Sequence, residues 1–205
     1  EKRAKSLCKV NPIKYGSIAI DNGFLILNED EKIDLIKREP LSEKYIFTYG
    51  GGAEFIKNIK RYCLWLKDLN PNELKLMPIV KEKIDSVRDF RFSSDREATK
   101  KLAEYPTLFG EDRQPKNNYI LIPKVSSETR QYIPLGFLNK SHIANGSSMI
   151  VENATLFEFG ILTSIMHMAW IKYTCGRMKS DYQYSNTIVY NNYPFPKNVS
   201  EKQKK

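Results

Sequence analysis

Apolar and polar positions recur along this chain with two different periods. From Pro78, apolar residues fall at Ile79, Val80, Ile84, Val87 and Phe90, a helical stripe with Pro78 in the first turn. The opposite face carries Lys81, Lys83, Arg88 and Arg91. Earlier, Phe24 to Leu27 reads as a short strand entering a helix that Asn28 can cap. Glu31 completes a capping box there, and Pro40 ends the helix. Tyr62 to Leu66, in "RYCLWLKD", suits a buried strand. A further helix is expected from Ser94, with Glu97 completing a second box, and stops before Pro106. Together with the helical stripe from Pro78, it offers a charged surface of Arg91, Arg96, Lys100 and Lys101, laced with acids. "NYILIPKV", "QYIPLGFL" and "SSMIVE" then give three strand runs. The polar loop "NKSHIANGSS" between the last two can reach a partner.

Last comes a long apolar stretch, read as one helix from about Ala154 to Cys175, with Asn153 as its cap and Gly176 as its stop. Leu162, Ile165, Met166, Ala169, Trp170 and Tyr173 lie on one stripe. Phe157, Ile161, Met168 and Ile171 lie off it, which predicts a helix buried nearly all round. The class is therefore α+β: a mixed domain with short strands packed around a long buried C-terminal helix. Residues 1–40 read as a connecting arm, 41–196 as the main domain and 197–205 as a polar tail.

Composition narrows the partners. The chain has 205 residues, with 33 Lys+Arg against 24 Asp+Glu for a formal charge of +9, which favours a polyanion. Cys8, Cys63 and Cys175 are odd in number and far apart, with neither disulfide-framework nor zinc spacing, so a reducing, cytoplasmic location is expected. No apolar run is long enough to span a bilayer, so no membrane is expected as a partner. The chain does not start with Met and reads as part of something longer.

Catalytic constellations are weak. Gly50-Gly51-Gly52 lacks the Gly-Lys-Ser/Thr ending of a phosphate loop and reads as a turn or hinge. His167 sits in the apolar helix as a hydrogen-bonded core residue; His142, in the polar loop, could touch a phosphate, but nothing nearby completes a triad. Glu73-Leu74-Lys75 fits the E-x-K of metal nucleases but lacks a suitably spaced upstream acid. Asn192-Tyr193-Pro194-Phe195-Pro196 has the wrong order for the Asn-Pro-Pro-aromatic motif with which amino-methylating enzymes hold a flipped base. Asn11-Pro12-Ile13 fails as well, so no catalytic residue is assigned to this chain.

Five blocks carry a family resemblance: "RYCLWLKD", "FRFSSDREATKKLAEYPTLFGEDRQP", "YILIPKVSSETRQYIPLGFL", "NATLFEFGILTSIMHMAWI" and "CGRMKSDYQYSNTIVYNNYPFP". From about Tyr15 to Pro196 the chain resembles the target recognition domain of the MmeI-like type IIG (type IIL) restriction–modification enzymes, which methylate adenine N6. The resemblance implies that residues 1–40 follow a methylase domain. It places S-adenosylmethionine and the catalytic motif in that preceding domain, with Mg2+ needed only where a nuclease domain is present. It implies two partners, double-stranded DNA and the methylase domain of the same polypeptide.

In that family, alternate residues after the Gly-Arg that ends the long helix contact base edges in the major groove. Here they would be Lys179, Asp181 and Gln183, which alternate along an extended segment and could share one side. A lysine donates to guanine O6/N7, a carboxylate accepts from cytosine N4, and glutamine can pair with adenine N6/N7. The glutamine departs from the arginine associated with many relatives, which leaves its base open. Ser147 and Ser148 are further base-contact candidates. Arg177, Lys140, Arg130 and Lys124 are candidate phosphate contacts, which position without specifying sequence. Tyr190, Asn191, Asn192, Pro194 and Pro196 read as structural. Two other readings stay open: a scaffold that docks methylase and nuclease parts without reading sequence, and a nuclease using Glu73 and Lys75.

Overall fold

Tyr119–Pro123 is a run of five apolar residues without polar interruption, and such a strand needs both faces covered. In the computed structural model, which describes residues 1–197, 199, 200 and 202, all five are buried. The expected polar tail therefore falls largely outside the described residues.

The first half of the fold comprises β1 (Ile13–Tyr15), β2 (Ile26–Leu27), α1 (Glu29–Arg38), β3 (Ile46–Gly50), α2 (Gly52–Lys57), β4 (Tyr62–Leu64), α3 (Pro71–Leu74), α4 (Pro78–Phe92) and α5 (Glu97–Lys101). The second half adds β5 (Tyr119–Pro123), β6 (Val125–Ser126), β7 (Gly136–Leu138), β8 (His142–Ala144), β9 (Ser148–Glu152), α6 (Leu156–Leu162), α7 (Ile165–Thr174), β10 (Gly176–Met178) and β11 (Asp181–Gln183). The fold is α+β.

The strands form three sheets, ordered β1-β9-β5-β7, β2-β4-β3-β8 and β10-β11-β6. In the first, period-two alternation splits β5: Ile120 and Ile122 join Met149, Val151, Met168 and Ile171 in one core. Tyr119 and Leu121 face the other way, onto Ile150, Ala144 and Phe55. The second sheet packs against α1 and α4 through Leu27, Leu35, Leu64, Val80, Ile84 and Val87. Its β8 pairs in parallel with β3, and this links the chain's two halves. Residues 1–40, expected as a connecting arm, supply β1 to the first sheet and β2 and α1 to the second.

Local signals hold for α1, where Asn28 and Glu31 form the capping box, and for α4, which starts at Pro78. Two expectations need correction here. The helix expected from Ser94 starts at Glu97, because the Ser94 hydroxyl accepts from the Arg96 amide and makes a turn ahead of the helix. Arg91, expected on the charged face, is fully buried; its position follows from Val80, Ile84, Val87 and Arg91 sharing one stripe.

The long buried C-terminal helix is also corrected, into two shorter helices. Thr155, and not Asn153, caps α6, and Glu158 completes a capping box with it. Thr163 Oγ1 donates to the Phe159 and Gly160 carbonyls at the end of α6. Ser164 then caps α7 by accepting from the His167 amide. Hydroxyls that bond locally compete with the continuing ladder and break it. Nor is α7 buried all round: Ile165, Met166 and Tyr173 are exposed, while His167, Met168 and Ile171 face the core.

His167 is the core residue its setting predicts, with Nε2 3.1 Å from the Tyr184 hydroxyl. Burial pushes its pKa down from 6.5 to about 4. The unfolded chain therefore takes up a proton near pH 6.5 that the folded chain refuses until about pH 4, so stability falls with pH through that window. Urea unfolding at pH 7 and pH 5 is expected to give about 2 kcal/mol less stability at pH 5 from this group. The His167→Gln variant should lose that increment of pH dependence.

Candidate nucleic-acid interface

The segment after α7 turns into a hairpin. Cys175 leaves the helix in an extended conformation and β10 begins at once, so the hairpin springs directly from a helix anchored in the core. Gly176 pairs with Gln183, Arg177 with Tyr182 and Met178 with Asp181, leaving Lys179 and Ser180 as a two-residue loop. Lys179 has a φ of 56°, and it supplies the positive φ that tight hairpin loops demand. Tyr182 and Gln183 pair in turn with Ser126 and Val125, and this fixes the hairpin to β6.

The pleat of this ribbon separates its side chains. Arg177 and Tyr182 share one face, and Tyr182 is buried there. Met178, Asp181 and Gln183 leave from the other face. The Asp181 carboxylate is held by the Glu128 amide, which donates to Oδ1 at 3.3 Å.

Beside Asp181 lies a cleft of about 490 Å³. One wall is Met178 and Asp181 of the hairpin; another is α2, through Gly52, Ala53, Ile56 and Lys57. Lys124, Val125, Ser126, Ser127, Arg130, Gly146 and Ser147 complete it. Glycine at 51 permits this assembly. A Cβ there would lie 2.0 Å from Asn145 Oδ1 and 2.2 Å from Ser147 Oγ. Gly52 N–H donates to Ser147 Oγ, and that hydroxyl donates to Asn145 Oδ1 at 2.6 Å. Lys57, Lys124 and Arg130 form no ion pair with a described residue. On the α4–α5 surface, by contrast, Arg88 is paired with Asp85 and Lys100 with Glu97. The cleft therefore offers positive charge without acidic partners beside one oriented carboxylate, with the Lys124 ammonium also lying over the Tyr15 ring.

The MmeI target recognition domain family matches residues 1–197. The chain belongs to this family. It is 34% identical over 194 residues to DNA methyltransferase A of Bacillus subtilis (strain 168), covering 95% of this chain and 22% of that protein. It also superposes on the type IIL restriction–modification enzyme MmeI, solved in complex with DNA, with a TM-score of 0.94 and 38% identity. That match covers 99% of this chain and 27% of the other. The chain thus spans about a quarter of the length of either relative.

Within this MmeI-type target recognition domain, the cleft brings together four of the residues expected at the site: Lys124, Arg130, Ser147 and Asp181. Gln183 leaves the same ribbon face as Asp181. Lys179 departs from the expectation of one extended segment, because the chain reverses at Lys179–Ser180. It stands at the loop tip. Ser148 is fully buried in β9 with its hydroxyl donating to the Asn145 carbonyl, which removes it from any surface. Lys140 lies in the turn before β8, at the far end of that strand from Ser147, and does not line the cleft.

Other expectations are corrected or upheld by their partners. His142 belongs to β8 and pairs with Thr48, so the stretch expected as a polar loop carries a three-residue strand. Burial lowers its pKa. Glu73 is committed to Lys44 and the Tyr45 hydroxyl, and no group of metal-ligating side chains occurs among the described residues. Asn191 and Asn192 close the domain by donating to the carbonyls of Arg3 and Glu1, as their structural reading predicts. Sequence reading missed α2. No linear signal connects Ala53, Ile56 and Lys57 to a hairpin more than a hundred residues away.

Proposed function

We propose that this domain reads a short DNA sequence in the major groove on behalf of a longer polypeptide that methylates adenine N6. The observation that carries the proposal is the outward ribbon face bearing Asp181 and Gln183 beside a cleft with three cations that pair with no described acid. The ribbon is two-stranded, a shape the major groove admits. In this reading Lys179, Asp181 and Gln183 address base edges, with Ser147 at the neighbouring turn. Lys124 and Arg130 meet phosphates, and Lys57 joins them. The backbone at Lys179 supports a role for its side chain, since a left-handed conformation costs a non-glycine residue about 1–2 kcal/mol. Such strain persists where function requires the side chain.

The rest of the polypeptide supplies the chemistry: a methylase domain holding S-adenosylmethionine, and Mg2+ if a nuclease domain is attached. No described helix is long and apolar enough to cross a membrane. Work on DNA in a bacterium, the setting of the Bacillus relative, would place the protein in the cytoplasm. To test the reading, the whole polypeptide is expressed in a host lacking adenine methylation and its modified adenines are mapped. They are expected to fall within one short asymmetric sequence. Modification scattered without sequence preference would favour a scaffold that does not read bases.

A further inference from the structure

Arg177, one of the four basic residues expected at phosphates, sits on the other face of the ribbon from Asp181 and Gln183. Arg177 is paired with Tyr182, and the pleat directs both away from the face that carries Asp181 and Gln183. Its guanidinium lies over the Tyr182 ring, 4.0 Å from the centroid. The same guanidinium crosses the loop, and Nη1 donates to the Ser180 carbonyl at 2.8 Å. Tyr182 is buried in the main core, so Arg177 ties the loop tip to the rigid body of the domain.

We propose that Arg177 is a positioning residue: it fixes the Lys179–Ser180 loop from behind and so sets where Lys179 and Asp181 meet a base pair. This rests on the DNA-reading function proposed above. The loop needs such a tie because Lys179 holds a positive φ, which a free two-residue loop without glycine would readily abandon. Only a planar fork can stack on the ring and donate to the carbonyl together; a lysine ammonium can donate but lacks the stacking plane.

Arg177→Lys separates this role from a phosphate contact, because it keeps the charge. The test uses the full-length polypeptide with its mapped cognate duplex and a panel of duplexes changed at single base pairs. Salt dependence of binding and relative methylation rates are measured together. With Arg177→Lys, discrimination at the pair read by Lys179 and Asp181 is expected to fall about tenfold, with other positions unchanged. Arg177→Ala is expected to give the same loss, with the slope of log K against log salt unaltered. A phosphate contact predicts the opposite: near-normal behaviour for lysine, and for alanine a slope smaller by about one with weakening uniform across the panel. That pattern, or unchanged discrimination in both variants, overturns the proposal. Failure of the unsubstituted protein to discriminate among the duplexes would instead refute the DNA-reading function itself.

Discussion

Replacing Arg91 with alanine is expected to destabilise the domain by about 4 kcal/mol or more, the largest stability effect of any single substitution considered. A guanidinium has five N–H donors, and here every one finds a carbonyl. Nε donates to Ile20, Nη1 to Leu102 and Tyr105, and Nη2 to Ala19 and Leu108, at distances from 2.7 to 3.1 Å. The side chain has no exposed surface. It joins α4 to two irregular segments, one of which holds Ile20 at a φ of 51°, costly for a β-branched residue. Alanine would take the guanidinium donor from all five carbonyls, leaving Ala19, Leu102 and Tyr105 only the amides of Gly110, Tyr105 and Leu108, and would open a cavity among them, so the penalty combines lost charge-assisted bonds with lost packing. Lysine has three donors and no fork, so it should recover little. At this chain length such a loss lowers Tm by roughly 10–15 °C. Arg88→Ala on the same helix removes only an exposed ion pair with Asp85 and is expected to cost under about 1 kcal/mol. Thermal and urea unfolding of the two variants check the contrast; similar, small losses in both would refute the role given to Arg91.

Arg91 also shows how far sequence reading reaches. The stripe of Val80, Ile84 and Val87 was legible, and Arg91 continues it four residues on, yet a charged residue is normally assigned to solvent. What reverses that assignment is a set of backbone carbonyls 11 to 72 residues away in sequence, which no local pattern reveals. The capping box of α1 and the buried runs of β5 and β9 were legible because their signals are local. The break between α6 and α7 was less so. An apolar stretch without clear period hides its exposed positions, although Thr163-Ser164 and the Thr155–Glu158 box were the available signals.

The candidate site divides in the same way. Family-like blocks pointed to Lys179, Asp181 and Gln183, and the pleat places Asp181 and Gln183 on one face of the ribbon. The reversal at Lys179–Ser180 was not legible, because loops of this kind usually announce themselves with glycine or asparagine. The α2 wall depends on Gly51 allowing close approach to Asn145 and Ser147, a long-range fit. Ser148 was a surface candidate until its burial became visible.

The second large effect concerns specificity, and it bears on the central claim that this hairpin reads a base pair. If Lys179 donates to guanine while Asp181 accepts from the paired cytosine, exchanging the two residues exchanges donor for acceptor across one pair. Aspartate tolerates the positive φ at 179 better than most residues, and the half-buried strand position at 181 can let a long lysine stem carry its ammonium to solvent, so the exchange should fold. A good direct contact is worth about 1–3 kcal/mol of discrimination, roughly five- to 150-fold. The decisive measurement is a map of modified adenines made by the full-length polypeptide carrying Lys179→Asp together with Asp181→Lys. The predicted result is a recognition sequence altered at one position only, with C·G accepted in place of G·C. The original sequence, methylated with its preference at every position unchanged, would contradict the account.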